Sequence, residues 1–374
     1  MMRGLFLLLC VSLFAASCQR KTDNEIVIGE YSSLTGTTAT FGQSTHNGIM
    51  LALDEINQAG GLLGKRVRII TEDTQSRPEE AAAVVTKLIN RDKVKAVLGE
   101  VASSRSLAAA PICQSNQIPM VSPSSTNPEV TKKGDYIFRV CFIDPFQGAV
   151  LAKFAMNSIK VKRVAILKDV KNDYSVGLAE FFSKIYKDLG GEIVGEQAYS
   201  EGDTDFKAQL TALKELRAEA ILVPGYYTEA ALIVKQAREL GIKAAFIGGD
   251  GWDSQKLIEI GGDSMNNCYY SNHYTADDTS PAVQNFVAKY KARFNQTPDA
   301  LAALGYDAAN IVFDAIKRAG NTEGPKIRDA LASTKGFLGV TGQISIDSER
   351  NANKSAVIIE IKDNKIAYRE TVNP

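Results

Sequence analysis

Ala96-Val97-Leu98-Gly99-Glu100-Val101-Ala102-Ser103-Ser104 is followed, after a helical stretch to Ser115, by Ile118-Pro119-Met120-Val121-Ser122-Pro123-Ser124-Ser125-Thr126. It reads as strand, loop, helix, strand, loop. Short, continuous apolar strands joined through a helix indicate a parallel sheet covered on both faces. Outward from this unit the rhythm repeats. On the N-terminal side, Ile26-Val27-Ile28-Gly29 predicts a strand, and residues 44–58 a helix with Ile49, Leu53 and Ile56 on one face. Gly60-Gly61 ends that helix as a C-cap would, and Val67-Arg68-Ile69-Ile70-Thr71 predicts the next strand. A further helix opens at Arg77-Pro78-Glu79-Glu80, with Pro in its first turn and acids at the positive end of the dipole.

A second series begins near Pro145. Helices are predicted over 146–158, 174–189, 205–216 and 228–240. They alternate with strands at Val164-Ala165-Ile166-Leu167, Glu192-Ile193-Val194, Ala220-Ile221-Leu222-Val223 and Ala245-Phe246-Ile247. The expected class is α/β, with two doubly wound, Rossmann-like lobes. The last third is less regular: helices at 281–294, 300–319 and 324–333, then strand-like runs at 342–346, 355–361 and 365–369. Such a tail is expected to complete both lobes, with the chain crossing between them more than once.

Composition narrows the function classes. The 374 residues carry zero formal net charge, 45% hydrophobic and 23% charged residues, which suits two domains of roughly 150 residues. The balance argues against a nucleic-acid binder, which would show a basic face. At the N-terminus, Arg3 and the apolar run Leu5 to Ala16 have the form of an export signal too short to span a bilayer. Ala15-Ala16-Ser17-Cys18 resembles the lipobox of bacterial lipoproteins. Cleavage there makes 1–17 the signal peptide, Cys18 the lipidated residue and 18–24 a polar tether; an ordinary secretory cut near Ser17 is the alternative. Cys113, Cys141 and Cys268 remain, an odd set without CxxC spacing, read as buried small hydrophobes rather than a disulfide framework or zinc site. With only His46 and His273 in the chain, neither metal nor cofactor is expected.

Ligands of open parallel α/β sheets bind beyond the carboxyl ends of the strands. The loops there are rich in hydroxyls. Ser103 stands where a helix N-cap belongs, and Ser124 and Thr126 lie in a proline-stiffened loop, Ser122 to Glu129. Two such helix starts suit a carboxylate; the plain alternative is that Ser103 and Thr126 only cap their own helices. In the second series, Tyr174 and Tyr226 open helices, and Gly249 and Gly251 flank Asp250, freeing its carboxylate to point into a cleft unless it is a simple turn residue. Hydroxyls opposite a carboxylate and aromatics complement a zwitterion. No P-loop, nucleophile elbow or His beside a nucleophile is found, so a binding protein rather than an enzyme is expected.

Several stretches together resemble one family. They are Tyr31-Ser32-Ser33-Leu34-Thr35-Gly36, Ala52-Leu53-Asp54-Glu55-Ile56-Asn57-Gln58-Ala59-Gly60-Gly61, Ser122 to Pro128, Gly225-Tyr226-Tyr227, Lys235 to Gly241 and Gly248-Gly249-Asp250-Gly251-Trp252. The chain is similar, from about Glu25 to Asp363, to type I periplasmic binding proteins of the branched-chain amino-acid receptor family of ABC transporters. The resemblance implies that Ser103, Ser124 and Thr126 hold a ligand carboxylate, Tyr174 and Tyr226 cover it, and Asp250 takes the ammonium group. It places Phe41, from the first loop, and Leu301 and Ala302 at the side-chain pocket. It also implies a first lobe of 25–143 and 274–345, a second of 144–273 and 346–372, and a three-strand hinge. The implied protein is a monomeric, lipid-anchored envelope receptor that delivers an amino acid to a membrane permease. A sensor on the same fold, or a receptor for another small carboxylate or amide, is the alternative.

Overall fold

The computed structural model describes residues 24–372; the expected signal peptide, Cys18 and the tether up to residue 23 lie outside the described residues. The first unit runs β1 (Glu25–Ser32), α1 (Ala39–Gln58), β2 (Arg66–Asp73), α2 (Pro78–Asn90), β3 (Val97–Leu98), α3 (Ser103–Ser115), β4 (Met120–Ser122) and β5 (Ile137–Arg139). The second runs α4 (Asp144–Lys153), β6 (Arg163–Asp169), α5 (Asp173–Asp188), β7 (Glu192–Tyr199), α6 (Lys207–Glu215), β8 (Ala220–Leu222), α7 (Tyr227–Glu239), β9 (Ala245–Gly248), α8 (Gln255–Gly261) and β10 (Cys268–Asn272). The tail comprises α9 (Pro281–Phe294), α10 (Ala300–Ala319), α11 (Gly324–Ala332), β11 (Phe337–Gly339), β12 (Gly342–Ile346), β13 (Ala352–Asn353), β14 (Ala356–Lys362) and β15 (Lys365–Val372).

The first sheet is wholly parallel, in the order β2-β1-β3-β4-β5. Its strands alternate between two cores. Val97, Met120 and Ile137 face Val85, Leu88 and Ala109 of α2 and α3, whereas Leu98, Val121 and Phe138 join the larger core with Ile49 of α1 and Leu304 of α10. Both faces are therefore buried, which is why these strands show no polar alternation. α1 lies close against α10: a Cβ on Gly48 would sit 1.9 Å from the Ala302 carbonyl oxygen, so the two backbones touch where no side chain fits.

The second sheet has the order β15-β14-β10-β9-β8-β6-β7, parallel from β7 to β10 and antiparallel through β14 and β15. The α/β class with two doubly wound lobes is thus what the molecule has. The irregular tail resolves in space. Its helices return beside the first sheet, β11-β12-β13 form a small sheet, and β14 and β15 extend the second as an antiparallel edge. The chain accordingly passes between the two sheets three times, after β5, after β10 and after β13.

Some local expectations are corrected. α1 starts at Ala39 rather than residue 44, because Phe41 is buried and anchors an extra turn; Phe41 is on a helix, not in a loop. The helix expected over 146–158 runs as α4 and then a π-helical turn, Phe154–Ser158. α8 carries no strong sequence signal; its N-cap Ser254 accepts a bond from the Lys256 N–H at 3.2 Å. Cys113, Cys141 and Cys268 are free and buried, and burial pushes each thiol up to about 12. Among the described residues, no helix is long and apolar enough to cross a membrane.

Candidate functional site

In each sheet the unit's first strand is interior, with the second strand on one side and the third on the other: β2-β1-β3 and β7-β6-β8. Successive loops diverge at that reversal and leave a crevice at the carboxyl ends. The loops after β3 and β4 from one sheet meet those after β6, β8 and β9 from the other around a small cavity.

Phe41, Ser103, Ser124, Thr126, Tyr174, Tyr226, Asp250 and Leu301 all line this cavity. Ala302 does not: it is fully buried, with its N–H bonded to Asp299 at 2.9 Å. Residue 301 faces the cavity and its helical neighbour points elsewhere, as successive residues on a helix must. Val101 and Gly251 complete the lining; both lie in loops singled out from the sequence, though neither was named as a ligand contact.

Ser103 is the first residue of α3, not its cap. The N-cap is Ala102, without a side-chain bond, and the Ser103 hydroxyl instead accepts the Asn127 N–H at 3.2 Å. That bond ties the 122–129 loop to the helix start. Behind the loop, fully buried Arg139 donates to the carbonyl of Ser125 and, at 3.3 Å, to the Thr131 hydroxyl. The hydroxylated loop is therefore rigidly backed.

From the other sheet, Asn172 caps α5 by accepting the N–H groups of Tyr174 and Ser175 at 3.0 and 3.4 Å, which fixes Tyr174 in the first turn. Tyr174 stacks on Tyr226 with rings 5.6 Å apart and parallel to 1°. Phe41 meets Tyr226 edge-on at 5.5 Å, so an aromatic wall spans both lobes. Asp250 opens the short turn Asp250–Trp252, pinned by the Trp252 indole N–H to the Val223 carbonyl at 3.0 Å. Gly249 leaves room for two site side chains: a Cβ there would lie 2.2 Å from Gln147 Oε1 and from the Tyr174 hydroxyl and push them aside.

The Asp250 carboxylate sits among donors. Gln147 Nε2 donates to Oδ1 at 3.0 Å, His273 Nε2 lies 3.0 Å from Oδ2, and the Ser124 hydroxyl donates to Oδ2 at 3.4 Å across the cleft. Nearby Asp144 is fully buried with neither oxygen hydrogen-bonded. Burial, and then the charge of Asp250, push its carboxyl well above the usual carboxylate range. The sequence does not mark Gln147, His273 or Asp144 as neighbours of the site. Their signal is faint, since Gln147 is 103 residues from Asp250 in the chain.

The cavity thus offers three hydroxyls from one sheet's loops and a carboxylate with tyrosines from the other. It can hold a small molecule with an anionic end, a cationic end and an apolar part.

Residues 25–365 match the model of a family described as periplasmic binding protein. The chain is 31% identical, over 84% of both sequences, to the leucine-, isoleucine-, valine-, threonine- and alanine-binding protein of Pseudomonas aeruginosa. It resembles the crystal structure of a leucine-binding protein, LivK, of Thermotoga maritima, with 40% identity and a TM-score of 0.90 over 93% of this chain and 99% of that one. It also resembles LivJ of Streptococcus pneumoniae in complex with isoleucine, with 37% identity and a TM-score of 0.89 over 94% of this chain and all of the other.

Proposed function

The chain belongs to the periplasmic binding protein family, and from that premise we propose that it captures an amino acid between its two lobes for an ABC importer. One observation carries the reading: the Asp250 carboxylate stands across a small cleft from the hydroxyls of Ser103, Ser124 and Thr126. In the proposed complex the ligand's carboxylate takes those hydroxyls and the open amides at the start of α3. Its ammonium group takes Asp250, and Phe41, Val101 and Leu301 surround the side chain. Charge-assisted bonds of about 1.5–3 kcal/mol each, less the cost of immobilising the ligand and lobes, would give about micromolar affinity.

The lobes are proposed as 25–143 with 274–345 and 144–273 with 346–372, hinged at the three crossings. A ligand that touches both lobes favours the closed form, and the closed form is what a permease would recognise. Export and lipidation at Cys18 would hold the receptor at the cell envelope.

The test is a melting-temperature screen of ligand-stripped protein against the common amino acids and their des-amino analogues. A ligand present at about 100 times its Kd adds about 2.7 kcal/mol of stability. Much stronger stabilisation by one class of amino acid than by its des-amino analogues is the expected result. Stabilisation by plain carboxylates alone would remove Asp250 from the role given to it.

A further inference from the structure

We infer that His273 and Gln147 are positioning residues that hold the Asp250 carboxylate for a cationic ligand group, and that His273 does so only while neutral. The inference rests on the amino-acid reading above.

Gln147 is fully buried on α4 and uses both ends of its amide on Asp250. Its Nε2 donates to Oδ1 at 3.0 Å and its Oε1 accepts the Asp250 backbone N–H at 3.3 Å. This two-point clamp fixes the carboxylate against its own backbone. His273 holds the other oxygen, with Nε2 3.0 Å from Oδ2 and no side-chain exposure. Its ring stacks on Phe142 at 3.7 Å and 25°. Phe142 follows β5 and His273 follows β10, so both lie on segments that pass between the lobes. Groups at a pivot move least when lobes rotate, so the imidazole holds Asp250 ready before closure.

The tautomer follows from the partners. A carboxylate only accepts, so Nε2 carries the hydrogen. Nδ1 is buried without a hydrogen-bond partner, and protonation there would leave an N–H with no acceptor. Two charged groups act on the ring: Asp250 from the turn after β9 and Lys354 from the third crossing segment. Asp144 faces Asp250 from the start of α4. Burial, aided by Lys354, lowers the proton affinity of His273, and Asp250 opposes this. A neutral ring donates one bond and leaves the carboxylate's charge for the ligand's ammonium. An imidazolium would pair with that charge and compete with the ligand.

The experiment titrates ligand-stripped wild type, H273Q and H273L with L-leucine between about pH 5 and about pH 8, followed by Trp252 fluorescence. Trp252 is the chain's single tryptophan, two residues from Asp250. For the wild type, Kd should rise on the acid side as His273 takes up a proton. H273Q keeps a donor that does not titrate in this range, so it should recover binding near neutrality and lose most of that acid-side rise. H273L lacks the donor and should bind about tenfold or more weakly at every pH, while its affinity for des-amino leucine matches the wild type's. If H273L fails to fold, the H273Q profile decides alone. An H273Q profile with the wild-type acid-side rise overturns the inference and leaves the amino-acid reading standing. Wild-type protein that binds no amino acid at any pH overturns both.

Discussion

Asp250 carries the heaviest duty of any single side chain in the cleft. Its oxygens already receive Gln147, His273 and Ser124, which hold the carboxylate in place and leave its charge to be matched by a ligand cation. D250N keeps the shape and removes the charge. The expected cost is about 2–3 kcal/mol of amino-acid affinity, or roughly 30- to 150-fold in Kd, read by titration. Equal weakening of the des-amino analogue would show that the substitution had disturbed the loop rather than the charge. Ser103 shows the limit of a local pattern: its position suggested a helix cap as the plain alternative to a ligand contact, whereas its hydroxyl secures the neighbouring loop through Asn127.

At the scale of elements, two carboxylates meet at the start of α10. Asp299 caps the helix through the Ala302 N–H at 2.9 Å, and Asp253, from the other lobe, accepts the Ala300 N–H at 2.8 Å. Burial, reinforced by Asp253, pushes the Asp299 carboxyl up to about 7. A carboxyl with a raised folded-state pKa binds its proton more tightly in the fold. Its contribution is therefore favourable below the ordinary carboxylate range and is lost as pH rises from there through about 7. D299N keeps a capping side chain without the charge. It should raise Tm at about pH 8 by roughly 2–4 °C, the shift that about 1 kcal/mol produces in a domain of roughly 150–250 residues, and change it little at about pH 5. A drop in Tm at both pH values would mean that the cap, not the charge, dominates.

At the scale of the molecule, polar contacts join the two lobes beside the cleft. Arg105, with its side chain 3% exposed, donates to the Thr38 hydroxyl and Ser76 carbonyl of its own lobe and, at 3.1 Å, to Glu201 of the other. The Tyr227 hydroxyl reaches the Thr37 carbonyl at 3.2 Å. Removing the Glu201 charge leaves Arg105 buried without its anion. Because Glu201 is about a third exposed, solvent screening limits the effect. E201Q should raise Kd roughly three- to tenfold, mainly through faster dissociation, and enlarge the ligand-free protein in small-angle scattering. An unchanged dissociation rate would show that this pair takes no part in retaining the ligand.

The alternation of strand and helix, and the hydroxyl-rich loops after Gly99 and Val121, were legible from sequence because period and turn chemistry are local properties. Together with the family stretches, they placed Phe41, Ser103, Ser124, Thr126, Tyr174, Tyr226, Asp250 and Leu301 as site candidates, and packing made them the lining of one cavity. The start of α1 was missed because only burial of Phe41 extends it. Tertiary structure alone turned Ala302 away from the cavity, set β14 and β15 antiparallel on the second sheet, and brought Gln147 and His273 onto the Asp250 carboxylate. Those choices depend on partners far apart along the chain. A local pattern reports which face of an element is apolar, but which distant residue meets that face is decided only when the lobes pack.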